Sequence, residues 1–312
     1  MQTRTTDTPI LLSILTDIRS DLQQVQARPG LEAPRHFSGR AAAIDFLEFH
    51  VLDRMESLNT PISHPELIAL KDEALRIKAK LEQVDKALFR GLREAICNRK
   101  YTPATFLQTV NDYLGAERIL DLTQSKEPGY DEMDFFFNAL LSEQILPEVH
   151  SERETGMVFY QKTPARVILQ LTQQAAFSKN DVFFDLGSGL GQVCILVHLL
   201  TGVPATGIEY EPACCRYATV CAQQLDLPAV TFINQDARKA DYSGGTVFFM
   251  YTPFEGGMLQ QVLLLLKHEA ARRAIRIFTY GPCSVVIAAQ SWLDLCEGNA
   301  NNPYSLCRFT SK

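Results

Sequence analysis

The sequence predicts two structures in series: an all-α first part, then an α/β part built on a seven-stranded, mainly parallel sheet. Three observations lead there. From residue 157 onward, short apolar runs alternate with amphipathic helical stretches, the pattern of strands joined by helical crossovers. The last two runs flank Gly298-Asn-Ala-Asn-Asn-Pro303, a turn that closes an antiparallel pair. Up to residue 128, apolar residues instead recur every three or four positions, as on helix faces.

In the first part, residues 9–27 carry Ile10, Ile14, Ile18, Leu22 and Val25 at helical spacing. Pro29, Gly30 and Pro34 break the pattern, and a second helix follows from Ser38 or Gly39 to about Leu58. Residues 59–65 break it again. A long helix then places Leu67, Leu70, Ala74, Ile77, Leu81, Val84, Leu88, Leu92 and Ile96 on one heptad-like stripe. Such a stripe packs inside a helical bundle or makes a homodimeric coiled coil across 67–96. Thr102-Pro103 starts another helix ending near Leu114-Gly115. Lys126-Glu-Pro-Gly129 marks a boundary, so the domains expected are 1–128 (helical, a substrate or partner region) and 129–312. Met133, Phe135, Phe136, Phe137, Leu140 and Leu141 give one strongly apolar helix, read as core or as an aromatic substrate wall.

Composition excludes several classes. The net charge of −6 and the lack of a basic tail argue against a nucleic-acid scaffold. The start of the chain reads as polar rather than as an export signal, and no stretch is apolar enough to span a bilayer. Eight scattered cysteines form no C-x-x-C pair, which suits free thiols in a reducing, cytoplasmic setting and predicts no metal site.

In the second part, Thr163-Pro164 opens a helix. Strands are expected at 182–185, 205–209, 230–233, 246–251 and 276–280, with the closing pair at 292–295 and 304–309. Helices are expected at 192–200, from Pro212 to about 225, and at 258–270. After the first strand, Asp185-Leu-Gly-Ser-Gly-Leu-Gly191 forms a tight turn that lets backbone N–H groups approach a ligand. Dinucleotide folds space these glycines as G-x-G-x-x-G. Here the spacing is G-x-G-x-G, with an acid two residues before the first glycine, which holds a nicotinamide-dinucleotide reading low.

That turn resembles motif I of the class I S-adenosylmethionine (SAM) dependent methyltransferases, which implies a seven-stranded Rossmann-like sheet and SAM as cofactor. The resemblance implies that Gly187, Ser188, Gly189 and Gly191 lie against the amino-acid part of SAM, with Asp185 fixing the turn. Glu209, ending the second strand, is placed to accept from both ribose hydroxyls. Asp236, after the third strand and followed by Ala237, would accept from the adenine amino group, or cap a turn. Tyr251-Thr-Pro-Phe254 matches in part the Asn/Asp-Pro-Pro-Tyr/Phe turn of amine N-methyltransferases, whose carbonyls and side-chain oxygen hold the target nitrogen. A simple turn explains Pro253 almost as well.

Residues 157–255 further resemble the non-SET histone-lysine methyltransferases of the disruptor-of-telomeric-silencing family. Phe184-Asp-Leu-Gly-Ser-Gly-Leu-Gly-Gln-Val193 nearly reproduces that family's glycine loop, and its Tyr-Gly-Glu-Thr loop falls without a gap on Tyr160-Gln-Lys-Thr163. This adds Tyr160 and Thr163 to the cofactor residues. Two departures stand out: Lys162 replaces the loop glutamate, and Thr252 replaces an asparagine. The family's basic nucleosome-binding segment is also missing, so the histone substrate is not carried over. Lys162 has three readings: a partner of the SAM carboxylate, a partner of an anionic substrate, or a solvated loop lysine. The sequence therefore points to a SAM-dependent methyltransferase, with an N-methyl acceptor favoured and not named. The other reading is a SAM-binding or interaction module without catalysis. No catalytic base is visible: His198 is expected to pack against the sheet, and Cys283 to be a buried thiol.

Overall fold

The computed structural model describes residues 7–58, 64–114, 129–142, 144–148 and 154–312. Most of the breaker at 59–65, the end of the fourth helix after Leu114 and most of the boundary tetrapeptide at 126–129 lie outside them. Contacts group the chain into two units: Met1–Gly91 with Asp112–Leu114, and Leu92–Asn111 with Gly115–Lys312.

The first unit is helical. Helix α1 spans Asp7–Ala27. Helix α2, Phe37–Asp45, runs without a break through a π-helical segment, Phe46–Leu52, into α3, Asp53–Glu56. The long helix α4 covers Pro65–Cys97. Ile18, Leu22 and Val25 of α1 are buried with Leu47, Val51 and Met55, and with Leu67, Leu70, Ala74 and Leu81 of α4, in one core. The first half of the stripe expected to form either a bundle or a dimer seam, Leu67 to Leu81, contributes to this core. Arg40 lies fully buried among these helices. Its Nε donates to Asp85 at 2.6 Å, and its other nitrogens donate to the carbonyls of Leu31 (3.0 Å), Ala33 (2.9 Å) and Pro34 (3.3 Å). One guanidinium therefore fixes the 28–36 turn, together with Leu31, its side chain in the core.

In the second unit, α6 (Glu132–Leu141) follows α5 (Pro103–Leu114). Asp131 caps α6 and the Asp134 carboxylate accepts from the Asp131 N–H to complete the capping box, the arrangement that satisfies the free N–H groups of a first turn. The second oxygen of Asp134 also accepts from the Ala165 N–H at 2.8 Å, at the start of α7 (Ala165–Ala175). One carboxylate thus secures the N-termini of two helices. Met133, Phe136, Phe137, Leu140 and Leu141 are core, whereas Phe135 is 53% exposed, because it points off the opposite face of the helix.

The sheet order is β3-β2-β1-β4-β5-β7-β6, with the first five strands parallel and β7 antiparallel to both neighbours. The strands are β1 Phe183–Leu186, β2 Ala205–Glu209, β3 Val230–Asn234, β4 Val247–Met250, β5 Arg276–Thr279, β6 Leu293–Glu297 and β7 Cys307–Ser311. Helices α8 (Gln192–Thr201), α9 (Pro212–Gln224) and α10 (Gly256–Ala270) make the crossovers. This is the seven-stranded, mainly parallel sheet with a closing antiparallel pair that the sequence implied. Strands β1 and β4 are buried at every position, as continuous apolar runs covered on both faces must be. The order in which strands are added reverses between these two parallel central strands, so the strand ends there leave a crevice.

Two elements differ from expectation. Residues 304–306 belong to a turn held by Asn302, so β7 starts at Cys307 rather than at Tyr304. A short helix, α11 (Cys283–Ala288), was not foreseen, because Cys-Ser-Val-Val-Ile-Ala reads locally as strand. The Thr279–Ser284 hydroxyl pair (2.7 Å) and Gly281 at φ +96° turn the chain into it. Cys283 is buried, as expected, whereas His198, expected to pack against the sheet, is half-buried and bonds the Val203 carbonyl at 2.8 Å in the loop before β2. The eight cysteines are free. No helix among the described residues is long and apolar enough to cross a membrane.

Arg40→Ala leaves Asp85 and three carbonyls without their partner. It should destabilise the first unit by about 3–5 kcal/mol, read by urea denaturation.

Candidate cofactor site

The glycine turn leaves β1 with three positive φ angles, +83° at Gly187, +51° at Gly189 and +82° at Gly191. Space makes glycine necessary as well. A Cβ on Gly187 would lie 2.3 Å from Pro253, and one on Gly189 would lie 2.0 Å from the Tyr160 ring. The loop at 160–163 and the turn at 251–254 therefore close onto the glycine turn from two sides. Gly191 plays a different part from its neighbours. It does not border the cavity but starts α8 and admits Ala218 and Phe232, each 2.6 Å from where its Cβ would be.

Hydrogen bonds tie this turn to β2. The N–H groups of Gly187 and Ser188 both donate to the Ile208 carbonyl, at 2.9 and 3.0 Å. Glu209 then holds two backbone groups with one carboxylate: Oε2 accepts from Gly189 N–H at 2.7 Å and Oε1 from Glu211 N–H at 2.8 Å. Burial pushes its carboxyl above the usual range, while those N–H groups pull against the shift. Asp185 lies behind the turn, 3% exposed. Burial first, and then the charge of Glu209, push it up to about 8.

One cavity collects nearly all the expected residues. Tyr160, Thr163, Asp185, Gly187, Ser188 and Gly189 line it from one side, and Glu209, Asp236 and Ala237 from the other. Tyr251, Thr252, Pro253 and Phe254 close a third side. Asp236 does more than face a ligand. It caps the short turn Ala237–Lys239 and receives Nε and Nη2 of Arg238 at 2.7–3.0 Å, and that guanidinium keeps its carboxyl below the usual range. At the other end, Thr252 sits at φ +39°. Its hydroxyl is engaged with the Tyr280 carbonyl and the Cys283 N–H, both at 3.4 Å. The Pro253 carbonyl accepts from Val158 N–H at 3.2 Å and keeps a second lone pair. Tyr280 lies behind the wall, its ring 5.0 Å from that of Tyr251.

Lys162 departs from two of its readings. It does not border the cavity but donates from Nζ to Asn138 Oδ1 on α6, so it neither meets a cofactor carboxylate nor stands free in solvent. Burial lowers its pKa, against the pull of Asp134. Sequence reasoning also missed Gln192, the first residue of α8. It is buried at the cavity edge with neither amide atom paired, and the Ser188 hydroxyl beside it is unpaired too. Its place directly after the last glycine was the available signal.

The donor set fits SAM. Four acidic side chains, Asp185, Glu209, Glu211 and Asp236, border the cavity, with no lysine or arginine among the described residues, which suits a cationic ligand and opposes a pyrophosphate. Unpaired buried groups on Ser188 and Gln192 require polar partners from a ligand.

Comparison with known proteins bears on the same stretch. Residues 151–242 match the family described as "Histone methylation protein DOT1". The chain thus carries a DOT1-like segment. The DOT1-like stretch takes in the loop at 160–163, the glycine turn, Glu209 and Asp236, and ends before Tyr251. Solved structures that resemble the chain include an RNA methyltransferase from Salinibacter ruber in complex with S-adenosyl-L-homocysteine. It is 22% identical, with a TM-score of 0.40, covering 48% of this chain and 94% of that one. A putative methyltransferase, yhhF, from Escherichia coli is 15% identical, with a TM-score of 0.40 over 49% of this chain and 89% of its own. The precorrin-6y C5,15-methyltransferase from Geobacter metallireducens GS-15 is 14% identical, with a TM-score of 0.38 over 51% and 94%. No curated protein matches the sequence.

Asp185 binds its proton more tightly folded than unfolded. Its contribution to stability is therefore greatest below about pH 4 and is lost as pH rises to about 8. Asp185→Asn should flatten that part of the Tm-against-pH curve of the ligand-free protein. An unchanged curve would show that Asp185 titrates normally.

Proposed function

We propose that the protein is a SAM-dependent methyltransferase acting on an amine nitrogen, carried by a protein or by a small molecule. The observation that carries this reading is the meeting of the glycine turn, Glu209 and the Tyr251-Thr-Pro-Phe254 turn around one acidic cavity. Residues 129–312 would be the transferase domain, and 1–128 the region that meets substrate or partner. The free thiols are consistent with a reducing, cytoplasmic setting.

When bound, SAM supplies a methyl group on a cationic sulfonium, and the chain supplies alignment and exclusion of water. Glu209 would take the ribose hydroxyls once a ligand competes for its oxygens, and Asp236, already oriented by Arg238, would take the adenine amino group. Ser188 and Gln192 would hold the amino-acid end. Tyr251 and Phe254 wall the third side, and Tyr160 covers the glycine turn. An apolar, aromatic wall disfavours the charged form of an amine and so helps it arrive with its lone pair free. The second lone pair of the Pro253 carbonyl would accept from the remaining N–H and aim the nitrogen. Because Lys162 is turned to Asn138 and lies off the cavity lining, its charge does not face such an acceptor.

The test is transfer of labelled methyl from SAM into cell extract, set beside calorimetric binding of SAM. Label in an amine and a measurable Kd are expected, with Glu209→Ala weakening binding about tenfold. Tight binding with no label transferred would sink the catalytic reading and leave a SAM-binding module.

A further inference from the structure

We infer that Arg238 and Glu154 form the releasable end of a strap, residues 154–163, that must lift for the cofactor to enter and leave. The inference rests on the cofactor reading above. The strap crosses the cavity: Met157, Val158, Phe159, Tyr160, Gln161 and Thr163 all line it. Tyr160 lies so close over Gly189 that no Cβ would fit between them, so it roofs the turn that would hold the cofactor.

The two ends are fastened differently. At the far end, Tyr130 donates to the Lys162 carbonyl at 2.8 Å and Lys162 donates to Asn138. Thr163 is buried, and Asp134 holds the Ala165 N–H just beyond. At the near end, Glu255 N–H donates to the Gly156 carbonyl at 2.8 Å and Val158 N–H to that of Pro253. Beyond these, the start of the strap hangs on Arg238, whose Nη1 and Nη2 reach the two oxygens of Glu154 at 3.0 and 2.6 Å. The same guanidinium grips Asp236, a cavity residue, so the strap and the proposed adenine end share one cation. Glu154 is half exposed. Such pairs are weak and screened by salt, which suits an end that opens repeatedly. Arg238 acts here as a positioning residue, through Glu154 on one side and Asp236 on the other.

Glu154→Gln breaks the strap arm and leaves the Arg238–Asp236 pair intact. With tritiated S-adenosylhomocysteine as probe, rapid filtration and chase should show association and dissociation both faster by roughly two- to fivefold, with Kd within about twofold. Raising sodium chloride from about 50 to 500 mM should speed both rates in the natural protein and much less in the variant. Unchanged rates, or a faster dissociation with unchanged association, would overturn the strap and leave an ordinary surface pair or a binding contact. Failure of the natural protein to bind the probe would instead strike the cofactor reading itself, and the strap with it.

Discussion

The second unit depends on how Glu209 is used. A carboxylate at the end of β2 grips the Gly189 N–H across the sheet and the Glu211 N–H beside it. Charge-assisted bonds of this kind are the strong ones, and this one is buried. It fixes the glycine turn relative to β2, and the turn in turn sets where Tyr160 and Pro253 can lie. Without it, three residues at positive φ would have little to define their path. The same carboxylate also raises the cost of charging Asp185 behind it. One residue thus determines both the shape and the charge state of the cavity's floor.

The cavity's charge is as informative as its shape. Acids border it and bases do not, though Arg238 and Lys162 both lie one step away. Arg238 spends its charge on Asp236 and Glu154, and Lys162 spends its donor on Asn138. A Rossmann-like crevice that keeps its cations turned aside is suited to a ligand that brings its own positive charge.

Much of this was legible in the sequence because it follows from local constraints. Gly187 and Gly189 are demanded by φ and by close approach, and both demands leave a spacing that can be read. Strands β1 and β4 were legible as unbroken apolar runs. The stripe on α4 was legible as core, since Leu67, Leu70, Ala74 and Leu81 recur on one face. What could not be read were partners distant along the chain. Lys162 meets Asn138 of α6 and Arg238 meets Glu154 across 24 and 84 residues of chain, which no local pattern records. Thr252 was expected to offer its side-chain oxygen, but a left-handed backbone there turns the hydroxyl to Tyr280 and Cys283. Helix α11 was hidden because its β-branched residues oppose the conformation that Gly281 and the Thr279–Ser284 pair impose.

The contact between Gly187 and Pro253 has a consequence for how such a site can diversify. With 2.3 Å between Pro253 and the place where a Cβ on Gly187 would stand, the 251–254 turn has little room to shift toward the glycine turn. The two turns behave as one mechanical piece, each the other's steric limit. A descendant of this protein that adopts a new acceptor therefore cannot do so by moving residues 251–254 inward. It must exchange side chains around a fixed backbone, at Tyr251, at Phe254 or on the facing loop, so drift at Gly187 and at Pro253 is constrained together even though selection acts on neither alone.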